Sequence, residues 1–449
     1  MDKKQLFKHY MLAGHGRAFD LLYGNEEEFR EIVLYGCLND IAFDMQCEGS
    51  RGWYMYNLAM QYEDYDYFLT PAIEKFLSAD VNTDWHIICH LCDLIDYFAS
   101  DNGDVHAKNA IDRKYDELYS LIMTIKFSDK ASKIADSYEY LAITIMQRGD
   151  FKRTLQIYKD IGAYFIRRKR ADDTELKWTF KWFFDVSEDE YGEAFVEQQL
   201  DVNSKISKEI ARFKRVMTVT DKEYSGNSFA VTHTAKEYIE KSEGLPIARA
   251  DIVHFSRKAD DSEKLKLAQA VLEEKDLSKK AKILSAFTFA HNIFPMNPQS
   301  IIEYAKSDNE ALRDTALSAL SYLRADCVHD FAATVLEESF SVEVLEILIH
   351  NYKEPDKEFI LKRLKEMTID LDDTSGWHGI VMQILHTDDE IFLPDEFITF
   401  IYESSLCSWC RERAVEKLRN RNLLTDRMIL ECKWDCNRGI RSEVATPDC

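Results

Sequence analysis

Backbone breakers are scarce in this chain. Glycine occurs 15 times and proline 7 times in 449 residues, below average usage. That composition argues against a turn-dense β architecture and for long helices joined by short loops. No run approaches the roughly 18 to 20 apolar residues of a membrane-spanning helix. The opening stretch, "MDKKQLFKHYMLAGHGR", carries lysines without a continuous apolar segment or a small-residue cleavage site, so no secretory leader is expected. Ten cysteines spread over this length make no disulfide framework, and a reducing cytoplasm is the expected setting. Neither a G-x-x-x-x-G-K-[ST] phosphate loop nor a G-x-S-x-G nucleophile turn occurs.

Positive charge is also short. Against 57 basic residues stand 80 acidic ones, a net charge of −23. Duplex nucleic acid is bound largely by neutralising phosphates, so nucleic acid is not an expected partner. The short basic clusters "IRRKR" (166–170) and "ARFKRV" (211–216) read as solvated helix faces. The excess acid favours solubility and a basic partner.

What is present is helical periodicity, and in the C-terminal half it repeats. "DNEALRDTALSALSYL" (308–323) has a polar turn, a basic residue, then apolar residues at helical spacing. The same shape recurs in "SKKAKILSAFTF", "CSWCRERAVEKL" and "DCNRGIRSEVA", with weaker copies at "SFSVEVLEILIHN" and "TSGWHGIVMQIL". The equivalent positions are Lys282, Arg313, Leu345, Gly379, Arg411 and Arg441, spaced by 31, 32, 34, 32 and 30 residues. A near-constant step of this size marks stacked helix pairs.

On these residues the segment 246–449 resembles the HEAT-like repeats. The copies at Arg313 and Arg411 carry the resemblance best, and those at Leu345 and Gly379 depart from it. In the N-terminal half, "YLAITIMQRGDFKRTLQIYKDIGAYF" (140–165) is similar to one tetratricopeptide unit. Leu141, Ala142, Gly149, Phe151, Leu155 and Tyr158 stand at that family's offsets, and Thr154 replaces its small alanine. The resemblance implies an all-α superhelix of antiparallel helix pairs, an α-solenoid, and implies almost nothing about chemistry. In HEAT-like arrays the repeated arginine commonly pairs with an acid of the neighbouring turn, here Asp308 or Asp435. The expected organisation is a tetratricopeptide-like arc over 1–200, an irregular insertion or hinge over 201–245, and a HEAT-like arc over 246–449. The middle segment is placed there because "RVMTVTDKEYSGNSFAVTHTAKEYI" (215–239) is rich in threonine and valine and suits a loop or short hairpin.

Several stretches hold residues capable of chemistry. "CLNDIAFDMQCEGSRGWYMYN" (37–57) offers Asp44, Gln46, Glu48, Arg51, Trp53 and Tyr56 around a helix-connecting turn, a mixture suited to a ligand or peptide pocket. Asp44 and Glu48 at i and i+4 would share a face for acid/base work; the simpler reading is an acid paired with Arg51 in a solvated loop. "WHIICHLCD" (85–93) puts His86 and His90 on one helix face, as a metal pair would be, but no third ligand is named and no glutamate base follows the first histidine. "AGHGR" (13–17) reads as a helix-connecting turn or a weak anion loop. Cys407, Cys410, Cys432 and Cys436 have zinc-like spacing, yet the repeat register makes Cys410 and Cys432 core thiols and puts Cys407 and Cys436 in successive turns. No metal or cofactor is expected.

The resulting expectation is a non-catalytic scaffold that grips a protein or peptide partner of basic character in a solenoid groove, with the final, unfinished repeat available for a partner or a second copy of the chain. The rival is an enzyme or nucleic-acid-modifying protein on the same array, centred on Asp44, Glu48 and Arg51 or on a metal at His86 and His90.

Overall fold

The computed structural model describes residues 2–44, 48–80, 85–126, 151–168, 173–218, 234–244, 247–289, 292–367 and 375–445. Among these there are 25 α-helices, packed in contacting pairs, and no strand. None of the described helices is long and apolar enough to cross a membrane. The chain divides into two compact units. The first comprises Met1–Ser225, Leu406–Glu412 and Leu424–Cys449; the second comprises Gly226–Ser405 and Arg413–Leu423. The end of the expected HEAT-like arc thus belongs with the N-terminal half.

In the first unit, α1 (Lys3–Ala13), α2 (Arg17–Leu22), α3 (Glu26–Leu38), α4 (Gly52–Ala59), α5 (Asp66–Ser78), α6 (Trp85–Ser100) and α7 (Val105–Lys126) are followed by α8 (Phe151–Arg167), α9 (Asp173–Tyr191), α10 (Glu193–Ser204) and α11 (Lys208–Met217). Side-chain caps start several of them. Asp2 and Gln5 form a reciprocal capping box on α1, and Ser207 accepts from Ile210 N at the start of α11. Burial of aromatic rings holds the helices together: Phe7 stacks on Phe29 at 4.2 Å, and Tyr158 of α8 on Phe213 of α11 at 4.4 Å. The first half of the tetratricopeptide-like stretch lies outside the described residues. Its second half is α8, and Thr154 is buried where the family places alanine.

In the second unit, α12 (Ala235–Ser242), α13 (Arg249–Lys258), α14 (Asp261–Glu273), α15 (Leu277–Leu284), α16 (Gln299–Ala305), α17 (Glu310–Leu320), α18 (Asp326–Glu338), α19 (Val342–His350), α20 (Lys357–Glu366), α21 (Ser375–Ile391) and α22 (Asp395–Ser404) succeed one another. Of the segment 201–245, expected to be irregular, residues 219–233 lie outside the described residues. Residues 208–217 and 235–242 are helical, the second because Thr234 and Glu237 close a capping box that outweighs the β-branched composition. The chain then runs through α23 (Ser408–Asn420), α24 (Asp426–Cys432) and α25 (Arg438–Val444).

All six repeat copies begin helices. Asn309, Ser341 and Asn437 cap α17, α19 and α25 with their side chains, and Arg313, Leu345 and Arg441 stand four residues beyond. The copy at Lys282 is shifted. Its N-cap is Asp276, so Lys280 occupies that place, buried with its Nζ 4.3 Å from the ring centre of Tyr304.

Candidate functional site

Within the first unit, four of the stretches singled out in the sequence converge on one buried seam. It begins with Gly14, the C-cap of α1, in the left-handed region at φ 67°. A side chain there would be strained and would also collide with Cys436 and Arg51. Gly16 begins α2 directly against the carbonyl of Glu431, where no Cβ fits. "AGHGR" is therefore a helix-connecting turn built for close approach. Its Arg17 donates to Glu431 at 2.7 and 3.1 Å and to the Tyr10 hydroxyl at 2.8 Å.

The 48–52 turn comes next. The Glu48 side chain is fully buried. Its Oε2 accepts from Arg51 Nη2 at 2.9 Å and Phe43 N at 3.0 Å, and its Oε1 accepts from the backbone N–H of Ser408. A carboxylate thus sits at the N-terminus of α23, where unpaired amides favour negative charge. Arg51 Nη1 donates to Cys436 Sγ, while its buried Nε finds no acceptor among the described residues. The start of α4 is fixed from α6. Hydrogen bonds from Ser50 and from the Gly52 and Trp53 amides reach the Asp93 carboxyl, but burial is the larger effect and pushes it up to about 6.

Arg411 completes the seam. Its guanidinium is fully buried and donates to Asp435 at 2.7 and 3.0 Å and to the carbonyl of Ala13 at 2.9 Å. Burial opposes this charge, and Asp435, through charge and hydrogen bonding, more than offsets it. Cys436 N donates to Gly14 O at 2.9 Å. Burial pushes the Cys436 thiol up to about 12 despite the nearby Arg51 and Arg411, Asp435 adding to the rise, so it is protonated at neutral pH. Arg441 lies 3.7 Å from the ring centre of Trp53 and donates to the carbonyls of Asp435 and Cys436 at 2.6 and 2.8 Å.

Two guanidiniums and two carboxylates are therefore enclosed together. Taking each ion out of water costs several kcal/mol, which pairing of this geometry offsets. The arrangement fastens residues 407–412 and 431–441 to residues 13–54. It offers no free general base, since Glu48 and Asp435 each engage a guanidinium.

The other expected site residues are distributed differently. Asp44 is exposed while Glu48 is enclosed, so the two do not present a paired acid/base face. Gln46 lies outside the described residues. Tyr56 is a core aromatic, edge-on to Phe98 at 5.0 Å. The side chain of His86 is outside the description. His90 Nε2 donates to the carbonyls of Gly36 and Cys37 at 3.0 and 3.2 Å, and burial lowers its pKa to about 4, so it is a neutral tie between α6 and α3. Cys410 and Cys432 are buried, as their repeat register requires; Cys407 just precedes α23 and Cys436 lies between α24 and α25. No disulfide joins the eight described cysteines to one another. In the second unit, Arg313 contacts Asp314 at 3.5 Å, and Lys282 donates to Gly244 O at 2.7 Å.

Sequence reasoning found Glu48, Arg51, Arg411 and Arg441 separately and missed that they belong to one cluster with Gly14, Glu431 and Cys436. Two pairings were legible in advance: Arg411 with Asp435, and Arg51 with a nearby acid, which is Glu48. Compared with known proteins, the chain matches no protein family, no curated protein and no solved structure.

Proposed function

We propose that the protein is a non-catalytic binding module, an α-solenoid of stacked helix pairs that holds a protein or peptide partner of basic character. The observation that carries this reading is the closure of the buried seam. The polar residues most suited to catalysis, Glu48, Arg51, Arg411 and Asp435, are spent on one another, and no acid, base or nucleophile among them faces outward. With those charges cancelled internally, the net charge of −23 resides elsewhere, which favours a cationic partner. The near-constant repeat step and the helix begun by every copy support the solenoid.

Calorimetric titration with basic and acidic peptides of equal length tests the binding. Basic peptides should bind with salt-dependent affinity and acidic ones should not. A stoichiometric bound metal in elemental analysis, or a thermal shift with a nucleotide abolished by Glu48→Gln, would overturn the reading. For the solenoid, hydrogen exchange in rising urea should show helix pairs opening at different concentrations. A single concerted transition through each unit would argue against it.

A further inference from the structure

At the seam formed by α19 and α21 in the second unit, two neighbouring acceptors lack donors. Glu346 and His350 are one turn apart on α19, so their Cβ atoms lie about 6 Å apart on one face. Gly379 of α21 stands opposite Glu346, and a Cβ there would run into the carboxylate. The glycine leaves the space that the carboxylate occupies. Glu346 is half-buried and makes no hydrogen bond or ion pair with any described residue. Its neighbours in charge are Glu343 on the same helix and the half-buried Tyr322. Further along the face, Glu390 is compensated, by Arg324 at 2.7 Å and His386 at 3.5 Å.

His350 is the second unsatisfied group. Only 5% of it is exposed, its ring lies parallel to His386 with centroids 6.3 Å apart, and its Nδ1 has no partner. The ring hydrogen-bonds the backbone of Tyr322 through its other nitrogen. Burial, aided by the charge of Arg324, lowers its pKa to about 4, so the imidazole is neutral and Nδ1 is an acceptor. Burial and Glu343 raise the Glu346 carboxyl to about 7. Buried polar groups are normally satisfied, and here two acceptors on adjacent turns lack a donor.

We infer that Glu346 and His350 form a subsite for a cationic side chain, the ammonium of a lysine or the guanidinium of an arginine. Such a group brings several N–H donors and one positive charge, which is what a carboxylate and a neutral imidazole nitrogen both lack. An anion would be repelled by Glu346 and Glu343. A metal ion is not favoured, because neither Glu346 nor His350 belongs to a group of three converging ligand side chains among the described residues. Tyr322 supplies an aromatic neighbour of the kind that cations seek. The inference rests on the proposed basic partner and names where one of its side chains is received.

The test is calorimetric titration of the full-length protein with decalysine and with decaarginine at physiological salt. Wild type should bind at least one of them. Glu346→Gln, nearly isosteric, should weaken that binding about tenfold, as expected for a charged hydrogen bond. Gly379→Ala should weaken it too by displacing the carboxylate. Glu337→Gln, an exposed acid on α18, removes the same charge and should change affinity less than about twofold under screening salt. Circular dichroism checks that each variant is folded. If wild type binds neither peptide, the basic-partner reading fails and this one with it. If wild type binds but Glu346→Gln behaves like Glu337→Gln, the subsite alone is overturned.

Discussion

The seam of the first unit and the α19/α21 face of the second bury similar groups with opposite outcomes. In the seam, Glu48 and Asp435 each meet a guanidinium at hydrogen-bond distance, and the charges cancel. On the α19/α21 face, Glu346 has no cation and His350 Nδ1 has no donor. Both arrangements carry the cost of removing polar groups from water. The first recovers it within the fold, so it fixes structure. The second leaves it unrecovered, which is the expected state of a group kept for something that binds.

The largest effect should come from unbalancing the seam. Arg411→Met leaves Asp435 enclosed without its partner and should cost about 3–5 kcal/mol. The loss should be local first, with residues 408–412 and 431–441 losing hydrogen-exchange protection before the helices of residues 54–100. Replacing both partners, as Arg411→Met with Asp435→Leu, removes the stranded charge and should recover more than half of the loss. If the double variant is no better than the single, the pair is not what compensates Asp435.

A smaller effect of opposite sign should come from the other region. The folded-state pKa of Glu346 is raised to about 7 from the ordinary 4.5, because burial and Glu343 favour the neutral acid. The folded protein therefore holds more protons than the unfolded chain between these values, and stability falls as pH rises through that window. Glu346→Gln removes the penalty. It should match wild type below about pH 4.5 and exceed it by about 1 kcal/mol above pH 7, a figure reduced for the group's partial exposure. The facing groups, Tyr322, His350, His386, and Glu390 held by Arg324, do not supply a cation to Glu346. Denaturation midpoints at pH 4.5 and pH 8 measure the difference. Equal stability of variant and wild type at pH 8 would show that Glu346 is already compensated.

Local patterns carried most of what was legible in the sequence. Helix starts at 310, 342 and 438 follow from a polar cap and apolar spacing, both readable within a dozen residues. Arg411 with Asp435 was legible because a repeat relates a helix to the next turn. The Glu48–Arg51 pair was legible too, three residues apart, but the rest of the seam was not, because Glu48 meets Ser408 across 360 residues and Arg51 meets Cys436 across 385. No periodicity specifies such a contact. The helix at 235–242 was masked by its threonine-rich approach, although Thr234 and Glu237 were a visible cap. Leu345 and Gly379 were visible as departures from the repeat. That the departure at Gly379 opens room for Glu346, the neighbour of Leu345, depends on how α19 and α21 pack.

The smallest expected effects test whether repeat position alone confers importance. Lys282, Arg313, Arg411 and Arg441 occupy corresponding places by sequence, yet their surroundings differ. The Arg313 side chain is 40% exposed and, among the described residues, pairs with the adjacent Asp314. Lys282 makes one hydrogen bond to a backbone carbonyl at an exposed site. Exposed contacts of this kind contribute little because solvent already satisfies both partners. Arg313→Ala and Lys282→Ala should each shift stability by less than about 0.5 kcal/mol. Arg441→Ala should cost more, on the order of 1–2 kcal/mol, since it removes two hydrogen bonds and the packing on Trp53. Parallel urea titrations of the three variants decide the matter. Equal losses at Arg313 and Arg441 would mean that a shared repeat role, and not the buried seam, sets the value of these cations.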